Sequence, residues 1–108
     1  MKNERFHNLL KEIGKLHDRK NQDYGAEQDP LANFKMCQNI GVSPFKGCCI
    51  RISDKYSRLC SFLRKGYLAV EDEKITDTLM DMAVYSLIAI LLKHEEEEKR
   101  ETQTHKMP

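Results

Sequence analysis

Tryptophan is absent from these 108 residues, and glycine (5) and proline (3) are scarce. That composition excludes collagen-like chains and proline-rich linkers, and it argues against a sheet protein, which needs many turns. Charge of one sign is missing as well. With 18 Lys and Arg against 17 Asp and Glu, the formal net charge is +1, too little to draw the chain strongly toward nucleic acid or a membrane. Residues 93–108 hold a balance of −1 and residues 1–92 one of +2, and neither value names a partner. No C-x-x-C occurs among Cys37, Cys48, Cys49 and Cys60, and His7, His17, His94 and His105 lack zinc-finger spacing. The opening MKNERFHNLL has no signal-peptide apolar run. The expectation is a reduced, cytoplasmic protein whose thiols are small core residues.

What is present is helical periodicity. Phe6, Leu9, Leu10, Ile13 and Leu16 recur at intervals of three and four, which predicts an amphipathic helix over residues 3–20. Turn-forming residues at 21–25 then break it, and Asp29-Pro30 prolongs the irregular run. Leu31, Phe34, Cys37 and Ile40 predict a short helix over 31–40 that Gly41 stops. Ser43-Pro44 is a helix start, a capping hydroxyl followed by proline at the first helical position. The stripe Phe45, Cys48, Cys49, Ile52, Tyr56, Leu59, Cys60 and Leu63 carries that helix to Lys65, with Gly66 as its terminator. A fourth helix is expected from near Glu71-Asp72 through Leu92, with continuation into the Glu run as an alternative to a charged tail over 95–108 that is solvated or frayed. With no internal repeat and no linker, the expectation is one all-α domain over 1–94, a four-helix-type bundle.

Within residues 79–92 only Asp81 and Ser86 are neither apolar nor aromatic. A helix apolar nearly all round must be buried on most sides. Fourteen residues fall short of the roughly twenty that a membrane span needs. Three short helices can hardly cover such a segment, so a second copy of the chain is expected to complete the bundle.

Two polar clusters stand out. Arg51, Asp54, Lys55 and Arg58 lie on one side of the third helix, and Glu73, Asp77 and Asp81 form an acidic row on the fourth. One reading is a structural salt-bridge network. The other has Asp54, Asp77 and Asp81 holding magnesium, a cation that takes oxygen ligands and completes its shell with substrate phosphates. Arg51, Lys55 and Arg58 would then contact phosphate oxygens. Asp81 must have a partner, because an isolated carboxylate within an apolar stretch is costly to bury. The second cluster is Lys20-Asn21-Gln22-Asp23-Tyr24-Gly25. Its tyrosine offers a stacking face for a base, with Asp and Asn to read the edge; alternatively it is a turn whose Tyr24 folds back onto the core near Asn33-Phe34.

Taken in order, Lys20-x-x-Asp23-Tyr24-Gly25, Asn33-Phe34, Gly41, Arg51-x-x-Asp54-Lys55-x-x-Arg58, Lys65-Gly66 and Asp77-Thr78-Leu79-x-Asp81-x-Ala83-x-Tyr85 resemble the nucleotide modification associated domain, type 1, a small all-α family of phages and bacteria. The resemblance spans residues 15–92. More distantly the pattern is similar to the all-α nucleoside triphosphate pyrophosphohydrolases of the MazG and dimeric dUTPase type. Those enzymes bind magnesium through E-x-x-E and E-x-x-D on successive helices and work as dimers or tetramers. The resemblance implies a nucleotide as ligand, magnesium as cofactor, and substrate contacts from Lys20, Asp23, Tyr24, Asn33, Arg51, Lys55 and Arg58. Against that pattern this chain has Arg51 where the first carboxylate would stand, and Lys74 three residues before Asp77. These cations reduce metal capacity and add phosphate-binding capacity. Three alternatives follow: a magnesium-dependent pyrophosphohydrolase, a phage-type protein that sequesters a nucleotide or nucleotide-derived signal without turnover, or an interaction module whose polar cluster only orients a dimer.

Overall fold

The computed structural model describes residues 1–24, 29–69 and 74–106, and of 20–24 and 103–106 the backbone alone. It is all-helical: α1 (Glu4–Tyr24), α2 (Ala32–Lys35), a 3-10 segment (Met36–Ile40), α3 (Pro44–Lys65) and α4 (Ile75–Lys106).

The third helix has the predicted bounds because both ends are explicitly capped. Ser43 Oγ accepts the Lys46 N–H at 3.2 Å, with Pro44 at the first helical position. At the other end Gly66 takes the left-handed φ of 81° that a side chain would resist, and its N–H reaches Phe62 O. Ser43→Ala is therefore expected to cost about 1 kcal/mol and Ser43→Gly only a few tenths, read as urea midpoints.

Elsewhere the sequence expectations shift. The turn foreseen at 21–25 is helical as far as Tyr24. The helix foreseen over 31–40 is one α-turn followed by 3-10 backbone, ending at Gly41 with φ 81°. The fourth helix starts at Ile75, and residues 71–73 lie outside the described ones. Residues 95–106 are not frayed: they continue α4 to Lys106, and 97–102 are exposed on it. Glu, Lys and Arg are good helix formers, and Glu95–Lys99 and Glu96–Arg100 have the spacing that favours helix.

The body of the fold is the α3–α4 pair. Contacts run Phe45 to Lys93, Cys48 to Tyr85 and Lys55 to Asp81, so the two helices are antiparallel. Thr78, Asp81, Tyr85, Ile88 and Leu92, at intervals of three and four, share the face of α4 turned to α3. The buried core comprises Ile13 of α1, Leu31, Phe34 of α2, Cys48 of α3, and Val84, Ile88, Ala89 and Leu92 of α4. Burial pushes the Cys48 thiol pKa up, the neighbouring Cys49 adding to the rise, while Cys49 itself is exposed rather than in the core. All four thiols are free.

Ahead of α2, Asp29 forms a clasp. Its Oδ1 accepts the Leu31 N–H at 2.9 Å, and its Oδ2 meets Lys35 Nζ at 2.7 Å. The same ammonium reaches Glu95 of α4 at 3.0 Å. The Lys35 hydrogen bond, helped by the Leu31 N–H, holds the Asp29 carboxyl below its ordinary value of 3.8. A depressed carboxyl stabilises the fold above its unfolded pKa and loses that contribution as pH falls through the folded one. Stability measured downward from pH 5 should therefore decline, and Asp29→Asn should flatten part of that decline; an unchanged acid limb would show that the clasp is energetically silent.

Candidate functional site

Arg51, Lys55 and Arg58 stand one helical turn apart on the face of α3 turned toward α4. Each is half-buried, and each has a different environment. Lys55 Nζ pairs with Asp81 Oδ2 at 2.9 Å, the two side chains 23% and 24% exposed. That pair answers the need for a partner that an acid in the apolar segment creates. Arg58 is likewise engaged.

Arg51 differs. Its guanidinium carbon lies 4.6 Å from the centroid of the Phe34 ring and 5.9 Å from that of Tyr85. The two rings meet edge to face at 6.1 Å and 71°, so α2 and α4 together form an aromatic corner over which the cation sits. Tyr85 is fixed from behind, because its backbone carbonyl accepts the Cys48 thiol at 3.2 Å. A cation–π contact engages the charge of the guanidinium with the rings and consumes none of its N–H donors. Among the described residues no carboxylate pairs with Arg51. A half-buried arginine held over two rings, with no carboxylate partner among the described residues, suits an oxyanion, bidentate phosphate above all.

The three aspartates are dispersed in role. Asp81 serves Lys55. Asp77 caps its own helix, its Oδ2 accepting the Lys74 N–H at 3.3 Å, an acid at the third helical position reaching back to the residue before the helix. Asp54 is exposed on α3. Among the described residues no three His, Cys, Asp or Glu side chains converge to hold a metal ion. In this arrangement Asp54, Asp77 and Asp81 do not fit the magnesium site expected of them. The row on α4 looked like a ligand set because Asp77 and Asp81 share a spacing, but a cap and an ion pair each use one member.

Asn33 is half-buried on α2 beside Phe34. Lys20, Asp23 and Tyr24 fall where only backbone is described, and Gly25 lies outside the described residues. What the sequence did not reveal is the aromatic corner. Phe34 and Tyr85 are 51 positions apart, and nothing in their local spacing pairs them; the one available signal was an arginine among the apolar positions of α3.

No family model matches this chain, and neither a curated protein nor a solved structure matches it closely enough to count as a relative.

Proposed function

We propose that this protein binds a nucleotide or nucleotide-derived phosphate ester through the cationic face of α3, and that it holds the ligand rather than turning it over. Arg51 carries this reading: its guanidinium is braced on Phe34 and Tyr85, and it has no carboxylate partner among the described residues. The Lys55–Asp81 pair closes one side of the site and fixes α3 against α4 without adding net charge. Phosphate oxygens meet Arg51, and the sugar or base extends toward Asn33, the neighbour of Phe34 on α2. The bundle is of the MazG-like type, completed by a second copy of the chain. Its setting is the reducing cytoplasm of a bacterial or phage-infected cell, in keeping with four free thiols. This reading needs no magnesium, because the Arg51 guanidinium itself supplies the charge and donors that meet phosphate.

The test is calorimetry of the purified chain with a panel of canonical and modified nucleotides, first in EDTA and then with magnesium. Binding in EDTA, with the ligand recovered unchanged, is the expected result. Binding only with magnesium, accompanied by release of pyrophosphate or monophosphate, would replace this reading with the pyrophosphohydrolase. Absence of binding by every nucleotide would leave the polar cluster a structural one.

A further inference from the structure

Of the two rings under Arg51, Phe34 is the nearer, with its centroid 4.6 Å from the guanidinium carbon against 5.9 Å for Tyr85. Tyr85 stands on α4, a helix of 32 residues. Phe34 stands on α2, which has four. A single turn of helix does not sustain itself, because nucleation fixes several residues for one hydrogen bond. What holds α2 therefore also holds the ring beneath the cation.

Part of the support is internal to the turn. Asp29 O accepts the Ala32 N–H at 3.1 Å, Leu31 O accepts the Phe34 N–H at 2.9 Å, and Asp29 Oδ1 takes the Leu31 N–H. These bonds close the turn on itself and attach it to nothing else. Burial of Leu31 and Phe34 draws α2 to the core, but apolar attraction is non-directional and does not set how a single turn is rotated. Lys35 supplies a directional link. Its Nζ lies 2.7 Å from Asp29 Oδ2 within the turn and 3.0 Å from Glu95 Oε2 on α4. The hydrogen bond to Asp29, then that to Glu95, raises the ammonium above its ordinary value of 10.5, so the link is charged at neutral pH. Glu95 also stands apart within its acidic run. It follows Ile88 and Leu92 at intervals of four and three, on the buried side of α4, whereas Glu96 turns to Lys93 and Glu97 and Glu98 are exposed.

We infer that Lys35 is a positioning residue of the Arg51 site: held between Asp29 and Glu95, it seats α2 on α4 so that Phe34 lies under the guanidinium. That role rests on the binding of phosphate by Arg51. Without the link α2 takes other seats, Arg51 keeps only its more distant ring, and its donors spread over more directions. A site that is competent for a fraction of the time loses affinity by that fraction. With α2 seated about a tenth to a third of the time, binding weakens about three- to tenfold, a smaller loss than removal of the guanidinium itself.

Nuclear magnetic resonance of the full chain reads Arg51 directly. Protons held over the face of an aromatic ring resonate upfield, so the Arg51 side chain should stand upfield of the exposed Arg5 and Arg64. Its signal is identified by its loss in Arg51→Met. Lys35→Met and the milder Glu95→Gln should each move that signal toward the exposed arginines. Each should also weaken its response to inorganic phosphate, titrated in EDTA, by about three- to tenfold, with helical circular dichroism retained. Lys35→Arg keeps the charge and the reach to two carboxylates, and should restore both readouts. Glu98→Gln, exposed on the same helix, should change neither. A clasp that only stabilises would lower the melting temperature in Lys35→Met while the Arg51 signal and phosphate affinity stay at their wild-type values. That result would overturn the positioning role and leave phosphate binding standing. A wild-type Arg51 signal that stands upfield and ignores phosphate would instead overturn the binding reading, and the positioning role with it.

Discussion

Leu92→Ala is expected to destabilise the protein by about 2–5 kcal/mol, the largest loss of any single truncation considered. Leu92 is 1% exposed, the deepest of the buried leucines. It closes the stripe of α4 that lies against α3, one turn beyond Ile88. Removing its isobutyl group forfeits transfer free energy and leaves a void between two helices pinned elsewhere by the Lys55–Asp81 pair and by the Cys48 hydrogen bond, so relaxation cannot close the gap. For a domain of this size the shift in melting temperature is on the order of 10 °C or more. Thermal unfolding followed at fixed protein concentration measures it, since an assembling chain melts in a concentration-dependent way. Leu63→Ala serves as the control. That side chain is 71% exposed on α3, and its truncation should stay within about 0.5 kcal/mol. Equal shifts for the two would mean that the α3–α4 core is not what holds the chain folded.

Arg51→Met should weaken binding of a phosphate ligand by about ten- to a hundredfold while leaving the fold nearly intact. A charged hydrogen-bonding group contributes about 1.5–3 kcal/mol, and each 1.4 kcal/mol is a factor of ten. Methionine is flexible and apolar, so it keeps the packing over Phe34 and Tyr85 and forgoes only the charge and its donors. The cation–π contribution lost is about 1 kcal/mol, which bounds the change in stability. Calorimetry against the best nucleotide, paired with thermal melts, separates the two effects. If affinity is unchanged, the guanidinium is a structural brace and the ligand site lies elsewhere.

The reading of α3 from sequence succeeded because its ends are local. A serine, a proline and a glycine each act within a turn of where they stand, so Pro44–Lys65 was readable to the residue. Where local preference is weak, the boundaries moved. Asn21 and Asp23 favour turns without forbidding helix, so α1 runs on to Tyr24. The glutamates after His94 look like a solvated tail by charge, yet they are good helix formers joined to a helix already nucleated. The candidate site divides in the same way. That Asp81 needs a cation was legible, because burial of a lone carboxylate is costly whatever the fold. Which cation answers it was not, since Lys55 and Arg58 share a face with Arg51. The brace on Phe34 and Tyr85 and the Lys35–Glu95 contact join residues 17 to 60 positions apart, and no periodicity encodes such a pairing. The role of Asp77 was open because an acid near a helix start can serve as a ligand or as a cap, and its 3.3 Å approach to the Lys74 N–H is visible only in the structure.

The order in which the chain leaves the ribosome gives the core a timetable. Among the described residues four of the eight buried apolar ones, Val84, Ile88, Ala89 and Leu92, belong to α4, and the clasp at Lys35 is completed only by Glu95. Until that last helix has been synthesised, α1, α2 and α3 have no apolar surface large enough to bury themselves against. An arrest of translation before residue 92 therefore yields a chain without a core, its amphipathic faces open to chaperones and proteases. Native contacts spanning 37 and 60 residues, from Cys48 to Tyr85 and from Lys35 to Glu95, close only once α4 is available, so these helices fold as one unit rather than one by one.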